Sequence, residues 1–170
     1  FFIDQQIDSG AIIKQEKIKI TDTTTAAELH NTLMSKGSDL LIYTLNLIKN
    51  NTVRYNEQKH NLAISEAPKL TKGLLKIDWS KSANEIHNLV RGLSPFLDKN
   101  TKLKEIAICP SAWFMLQDDN GIQKRIKLHL SEIVSNNANK LLSIKTDNKT
   151  YLHINTNKNA ISILHLQAEG

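Results

Sequence analysis

Two sets of residues in this 170-residue chain could do chemistry. The first is Ile7-Asp8-Ser9-Gly10, a carboxylate and a hydroxyl on a short loop whose glycine lets the backbone turn sharply or approach a ligand. A carboxylate so placed can orient a histidine and stabilise its charged form. Taken alone, the same three residues are also an ordinary turn composition. The second set is cationic: Lys69, Lys72 and Lys76 at intervals of three and four, then Arg91, then Lys124, Arg125 and Lys127. A helical turn or two would place the first three ammonium groups along one side. Lysine supplies a mobile point charge and arginine a forked pair of donors, and both serve to hold phosphate. For any single one of them, a solvated surface charge is the plainer reading.

The charge is unevenly distributed. Residues 1–65 carry seven Lys/Arg against seven Asp/Glu, and the remainder carries fifteen against ten, so all of the net +5 lies in the second part. A basic module joined to a neutral one is compatible with a polyanionic partner, though surfaces without such a partner reach the same excess. The lone Cys109 excludes an internal disulfide and a cysteine-based metal cluster, and it is expected to be a small buried apolar residue. His30, His60, His87, His129, His153 and His165 show no paired metal-ligand spacing. Trp79 and Trp113 are expected in the core rather than stacked on bases. No apolar run is long enough to span a bilayer, and no signal-peptide pattern opens the chain, so a soluble parent protein is expected.

The elements that must position these groups are legible in outline. Phe1-Phe2-Ile3 reads as the end of a buried strand whose backbone needs neighbours on both sides, which predicts that the chain is a piece of a larger protein. Ile18 and Ile20 alternate with Lys17 and Lys19, predicting a half-buried strand. Thr25 with Glu28 three residues on forms a capping box for a helix carrying Leu29 and Leu33. Gly37 is expected to interrupt it, and a second helix carries Leu41, Thr44, Leu45 and Ile48 as far as Asn50-Asn51. A polar stretch from about Asn51 to Ala67 reads as a linker. Ser80 or Ser82 then caps a helix with Ile86, Leu89, Val90 and Leu93 on one face, ended by Ser94-Pro95.

Beyond Pro95 the pattern changes to strands. Trp113 to Leu116, Ile126/Leu128/Leu130, Leu142/Ile144, Leu152/Ile154 and Ile161/Ile163 are five candidates, separated by turn compositions at Asp118–Gly121, Ser135–Asn137, Asp147–Lys149 and Asn157–Asn159. Short strands with such turns indicate a small antiparallel barrel. Asp98 to Lys104 reads as an exposed loop. The fold class expected is mixed α+β.

The order of the motifs is more specific than any one of them. The acidic loop at Asp8 is followed by Thr24-Thr25, Gly37, Thr44-Leu45, Ala67-Pro68-Lys69-Leu70-Thr71-Lys72, Ile77-Asp78-Trp79-Ser80, Val90-Arg91-Gly92 and Ser94-Pro95. In this order they resemble the second half of the methionyl-tRNA formyltransferases, over nearly the whole chain. The stretch from Phe96 to Cys109 departs from that pattern and looks like an insertion before Pro110-Ser111-Ala112-Trp113.

The resemblance implies the tail of a Rossmann-like formyltransferase domain over residues 1–50, a linker over 51–80, and an OB-like barrel over 81–170. It implies 10-formyltetrahydrofolate as the formyl donor and the amino group of methionine on the initiator tRNA as the acceptor. Amine attack on the formyl carbon creates an oxyanion and a surplus proton on nitrogen, so donors must face the oxygen and a base or relay must take the proton. By resemblance Asp8 is the catalytic aspartate, acting with an upstream Asn and His, and Ser9 and Gly10 lie on the substrate-binding loop. The tRNA-binding residues are expected to be Lys69, Lys72, Lys76, Arg91, Arg125 and Lys127. No metal and no membrane partner are expected, the parent enzyme is expected to be monomeric and cytoplasmic, and the 170-residue piece alone is expected to be inactive.

Two other readings stand beside this one. Sugar N-formyltransferases and the hydrolase part of folate dehydrogenases share the Asp-x-Gly loop and a similar C-terminal module. A nucleic-acid-binding protein whose α/β part is merely structural would also suit a basic small barrel.

Overall fold

The computed structural model describes residues 1–58, 67–102, 110–136 and 140–169. Those residues form two helices, α1 (Ala26–Lys49) and α2 (Ala83–Arg91), and five strands, β1 (Ala112–Gln117), β2 (Gln123–Val134), β3 (Ile144–Thr146), β4 (Leu152–Asn155) and β5 (Ala160–Ala168). The fold is mixed α+β. The chain divides into two compact units, one of Phe1–Ile20 with His30–Lys69 and one of Thr21–Leu29 with Leu70–Gly170. Expectations for His60, Lys104 and Cys109 lie outside the described residues.

In the first unit the two strands expected near the start are not formed. Ile3 and Ile20 are exposed, at 95% and 58%. Among the described residues of this unit, the paired positions are Ile12 and Asn56, whose backbones exchange N–H···O bonds of 2.8 and 2.9 Å. A strand is stable only where a neighbour takes up its backbone groups, and alternation in sequence does not supply that neighbour. The helices expected on either side of Gly37 are one 24-residue helix. A mid-helix glycine costs only about 1 kcal/mol relative to alanine, which a continuous ladder of i→i+4 bonds tolerates. The capping box is formed as the sequence predicts: the Thr25 N–H donates to Glu28 Oε2 at 2.8 Å, and the Glu28 N–H donates to Thr25 Oγ1 at 3.2 Å. Along α1, Leu33, Met34, Leu41, Ile42, Leu45 and Ile48 are all exposed.

The second unit is built on an antiparallel sheet of order β1-β2-β5-β4-β3. All five strand positions expected from alternation are present, although Leu142 lies in a left-handed turn before β3 (φ 61°) rather than in it. The turn residues act as their types predict. Asp118 Oδ1 accepts from the Asn120 and Ile122 N–H groups, Asp147 Oδ1 from Lys149, Thr150 and Tyr151, and Gly121, Asn148 and Asn159 take positive φ. Ser82 is the N-cap of α2, in a complete capping box with Glu85. The buried face of α2, Ala83, Ile86 and Val90, packs with Leu75, Ile77, Leu93, Ala112, Leu128 and Ile161 to form the core. Trp79 meets Phe114 edge to face at 5.4 Å against that core. Phe96, at the start of the insertion-like stretch, is itself buried and lies 4.6 Å from the His165 ring.

Candidate functional site

The acidic loop belongs to the first unit. Asp8 is exposed and holds a left-handed backbone (φ 58°), a conformation that Asp and Asn adopt more readily than other non-glycine residues. The Gln58 side-chain amide fastens the loop, donating to the carbonyls of Asp8 at 3.0 Å and Gly10 at 2.8 Å. Ser9 Oγ donates to the Gln6 carbonyl at 2.9 Å. Gly10 is buried, and a Cβ there would stand 1.6 Å from the Phe2 carbonyl oxygen, so no other residue fits without moving the backbone. Asp8 opens onto a shallow concavity lined by Phe1, Ile12, Lys14, Gln15 and Gln58.

The cations separate by surroundings. Lys69 is an exposed residue of the first unit. Lys72 and Lys76, in the second, lie on successive i→i+3 turns: Leu75 N–H donates to Lys72 O and Lys76 N–H to Gly73 O, each at 3.3 Å. Arg91 bonds within the protein through two of its three nitrogens. Its Nη1 donates to the carbonyls of Thr21 (3.0 Å) and Thr24 (2.8 Å), and its Nε donates to Asn88 Oδ1 (2.8 Å). It thereby ties the segment before α1 to the end of α2.

Arg125 and Lys127 form a face of their own. The β1–β2 register sets Trp113 opposite Lys127 and Met115 opposite Arg125, so these four side chains leave one side of the sheet, while Ile126 and Leu128 are buried on the other. Segment 75–77 runs parallel to β1: Ile77 N–H donates to Trp113 O at 2.8 Å, and Trp113 N–H to Leu75 O at 3.0 Å. This brings Lys76 Nζ to 5.8 Å from the Trp113 ring centre, with the Arg125 guanidinium at 4.5 Å. The Trp113 indole N–H donates to Lys72 O at 3.1 Å. Trp113 is half-buried against the core cluster and also carries two cations.

Glu169 completes the face. Its carboxylate meets Arg125 Nη1 at 3.3 Å and Lys127 Nζ at 2.9 Å, and its N–H donates to the Arg125 carbonyl at 3.0 Å. The Lys127 hydrogen bond, aided by the positive charge of both partners, holds the Glu169 carboxyl below its ordinary range. Arg125 Nε is buried with no hydrogen-bond partner among the described residues. Sequence reasoning missed Glu169 and the pairing of Trp113 with Arg125. Alternation assigns each side chain to a face but carries no register between strands.

Burial disfavours the charged form of two histidines of this unit. His129 sits between Ser111 Oγ (2.9 Å from Nδ1) and Gln167 Oε1 (3.1 Å from Nε2), against Phe96 and His165. Burial is the main cause that lowers its pKa. Lys102, His165 and Lys127 lower it further, against the Gln167 hydrogen bond, which raises it. His87, 3.1 Å from Ser131 Oγ, is lowered chiefly by burial, then by Arg91, with Glu132 opposing. In the unfolded chain both titrate near the free value of about 6.5. Below that pH the unfolded state binds more protons than the folded one, so stability should fall as pH drops through about 6.5. Urea denaturation across this window should show the loss, and His129→Gln should reduce it; a flat profile contradicts this assignment.

Residues 69–170 match the family described as "Formyl transferase, C-terminal domain". The chain belongs to the formyltransferase family. The family's C-terminal domain contains Lys69, Lys72, Lys76, Arg91, Trp113, Arg125, Lys127 and Glu169; the acidic loop precedes it. Among curated relatives, the methionyl-tRNA formyltransferase of Flavobacterium johnsoniae is 40% identical over 175 residues, and that of Phocaeicola vulgatus is 31% identical over 175. Each match covers 100% of this chain and 50% of the relative. The chain therefore spans about half the length of these formyltransferases. Among solved structures, the N-formyltransferase of Helicobacter canadensis, in complex with folinic acid and dTDP-3-aminofucose, aligns with TM-score 0.60 at 23% identity, covering 97% of this chain and 53% of that one. A variant of HypX from Aquifex aeolicus aligns with TM-score 0.66 at 14% identity, covering 99% and 26%. At these identities the structures show a shared fold. No helix among the described residues is long and apolar enough to cross a membrane.

Proposed function

We propose that this chain is the second half of a methionyl-tRNA formyltransferase, which moves a formyl group from 10-formyltetrahydrofolate to the amino group of methionyl initiator tRNA. The observation that carries this reading is the extent of the match to relatives of that name, which runs through the acidic loop as well as the sheet unit, at 40% identity over the entire chain in one case. Residues 1–50 are the tail of the Rossmann-like catalytic domain, 51–80 the linker, and 81–170 an OB-like barrel. The uncovered apolar side chains of α1 support a catalytic domain that continues beyond this chain. The parallel pairing of segment 75–77 with β1, and the bulge in β2 between Leu128 and Ser131, support a curved, barrel-like sheet. The enzyme acts as a monomer in the cytoplasm.

On this reading the formyl donor is a substrate, and Asp8 with Ser9 and Gly10 supplies one wall of its site. As the amine nitrogen attacks the formyl carbon, the bond from that carbon to the folate nitrogen breaks, the amine loses a proton and the departing folate nitrogen gains one. The Asp8 carboxylate orients the histidine that handles the proton and stabilises its charged form. Lys69, Lys72, Lys76, Arg91, Arg125 and Lys127 are the residues proposed to hold the tRNA. The deciding assay offers the longer enzyme either charged initiator tRNA or an amino sugar nucleotide as acceptor. Formylation of the amino sugar alone would overturn the reading. In the same enzyme, K69Q/K72Q/K76Q should weaken tRNA binding and flatten its log–log salt dependence by roughly one unit for each phosphate no longer neutralised. An unchanged slope would remove these lysines from the interface.

A further inference from the structure

Glu169 stands where a phosphate would. A carboxylate and a phosphodiester offer a guanidinium and an ammonium the same thing, charged oxygens that accept short hydrogen bonds. Glu169 presents one oxygen to Arg125 Nη1 and the other to Lys127 Nζ, and Lys76 adds a third cation beside Trp113. The side chains of Arg125, Lys127 and Glu169 are 38%, 36% and 37% exposed, so a larger anion can reach all three. Exposed ion pairs are worth roughly 0.2–1 kcal/mol each, weak enough to exchange for another anion.

We infer that Glu169 is an intramolecular competitor for a phosphodiester subsite formed by Arg125 and Lys127, and that RNA engages this face by displacing the Glu169 carboxylate. The inference rests on the proposal that this face holds tRNA. It adds a specificity device to it. A lone phosphate gains little by replacing a tethered carboxylate, whereas a ligand anchored elsewhere by other phosphates delivers its next one at high local concentration. The freed carboxylate takes up a cation as RNA binds, which offsets one of the counterions released and makes the salt dependence shallower than the phosphate pairs alone would give.

The test measures binding of an initiator tRNA transcript to the longer enzyme over a range of salt. Glu169→Gln keeps the backbone bond to Arg125 and should bind RNA about three- to tenfold tighter, the equivalent of releasing one or two exposed ion pairs. Its log–log salt slope should steepen by about one unit. In an R125Q/K127Q background the same substitution should give no gain, since the subsite is gone. Equal or weaker binding by Glu169→Gln, or a gain that persists in the R125Q/K127Q background, overturns the competitor role. Undiminished RNA binding by R125Q/K127Q alone overturns the assignment of RNA to this face, and the competitor with it.

Discussion

Asp8→Asn is expected to lower formyl transfer in the longer enzyme by about 100- to 10,000-fold, the range that a positioned acid–base group supplies, while leaving its unfolding curve unchanged. Asparagine is the substitution that isolates the charge. Asp8 holds φ 58°, and asparagine tolerates the left-handed region where alanine or a β-branched residue is strained. The bond that fixes the loop here goes from Gln58 to the Asp8 carbonyl rather than to its carboxylate, so it survives the change. The loss should appear in kcat more than in KM, because charge stabilisation of a partner histidine acts on the chemical step. A variant within about tenfold of the parent rate would remove Asp8 from the catalytic group.

The largest effect on stability is expected at Leu128. It is fully buried, stands opposite Ala112 on β1 and Leu166 on β5, and belongs to the cluster that α2 closes with Ile86 and Val90. Truncation to alanine removes its packing and leaves a cavity that strands paired on both sides cannot collapse into, for a cost of about 2–5 kcal/mol. Ile133→Ala, further along β2 at a position that is 41% exposed, should cost less than about 1 kcal/mol. Urea denaturation with an unchanged m-value separates the two cases. Equal losses at both positions would mean that the core does not lie where the sheet and α2 meet.

The sequence by itself determined the local structure wherever the signal and its partner are close along the chain. Thr25 with Glu28 and Ser82 with Glu85 start the helices, and the Asp, Asn and Gly turns separate five strands whose alternation is read within a few residues. It also indicated the sidedness of Arg125 and Lys127, because that needs only the period of a strand. It failed where the partner is remote. The alternation of Ile18 and Ile20 promises a strand, but no neighbour among the described residues pairs with it. Gly37 promises a break that the helix ladder absorbs.

The same reason explains what only the tertiary structure decided about the cations. Arg91 reads as a phosphate ligand from its type alone, and only the fold brings the carbonyls of Thr21 and Thr24, about seventy residues away, to its Nη1. Arg125 and Lys127 read as solvated charges until β2 pairs with the strand that leads to Glu169, and Trp113 joins them through the β1–β2 register. The type of a charged residue and its face are local properties of the chain. Which group answers its charge depends on strand register and chain crossing, and these are fixed only when the core closes.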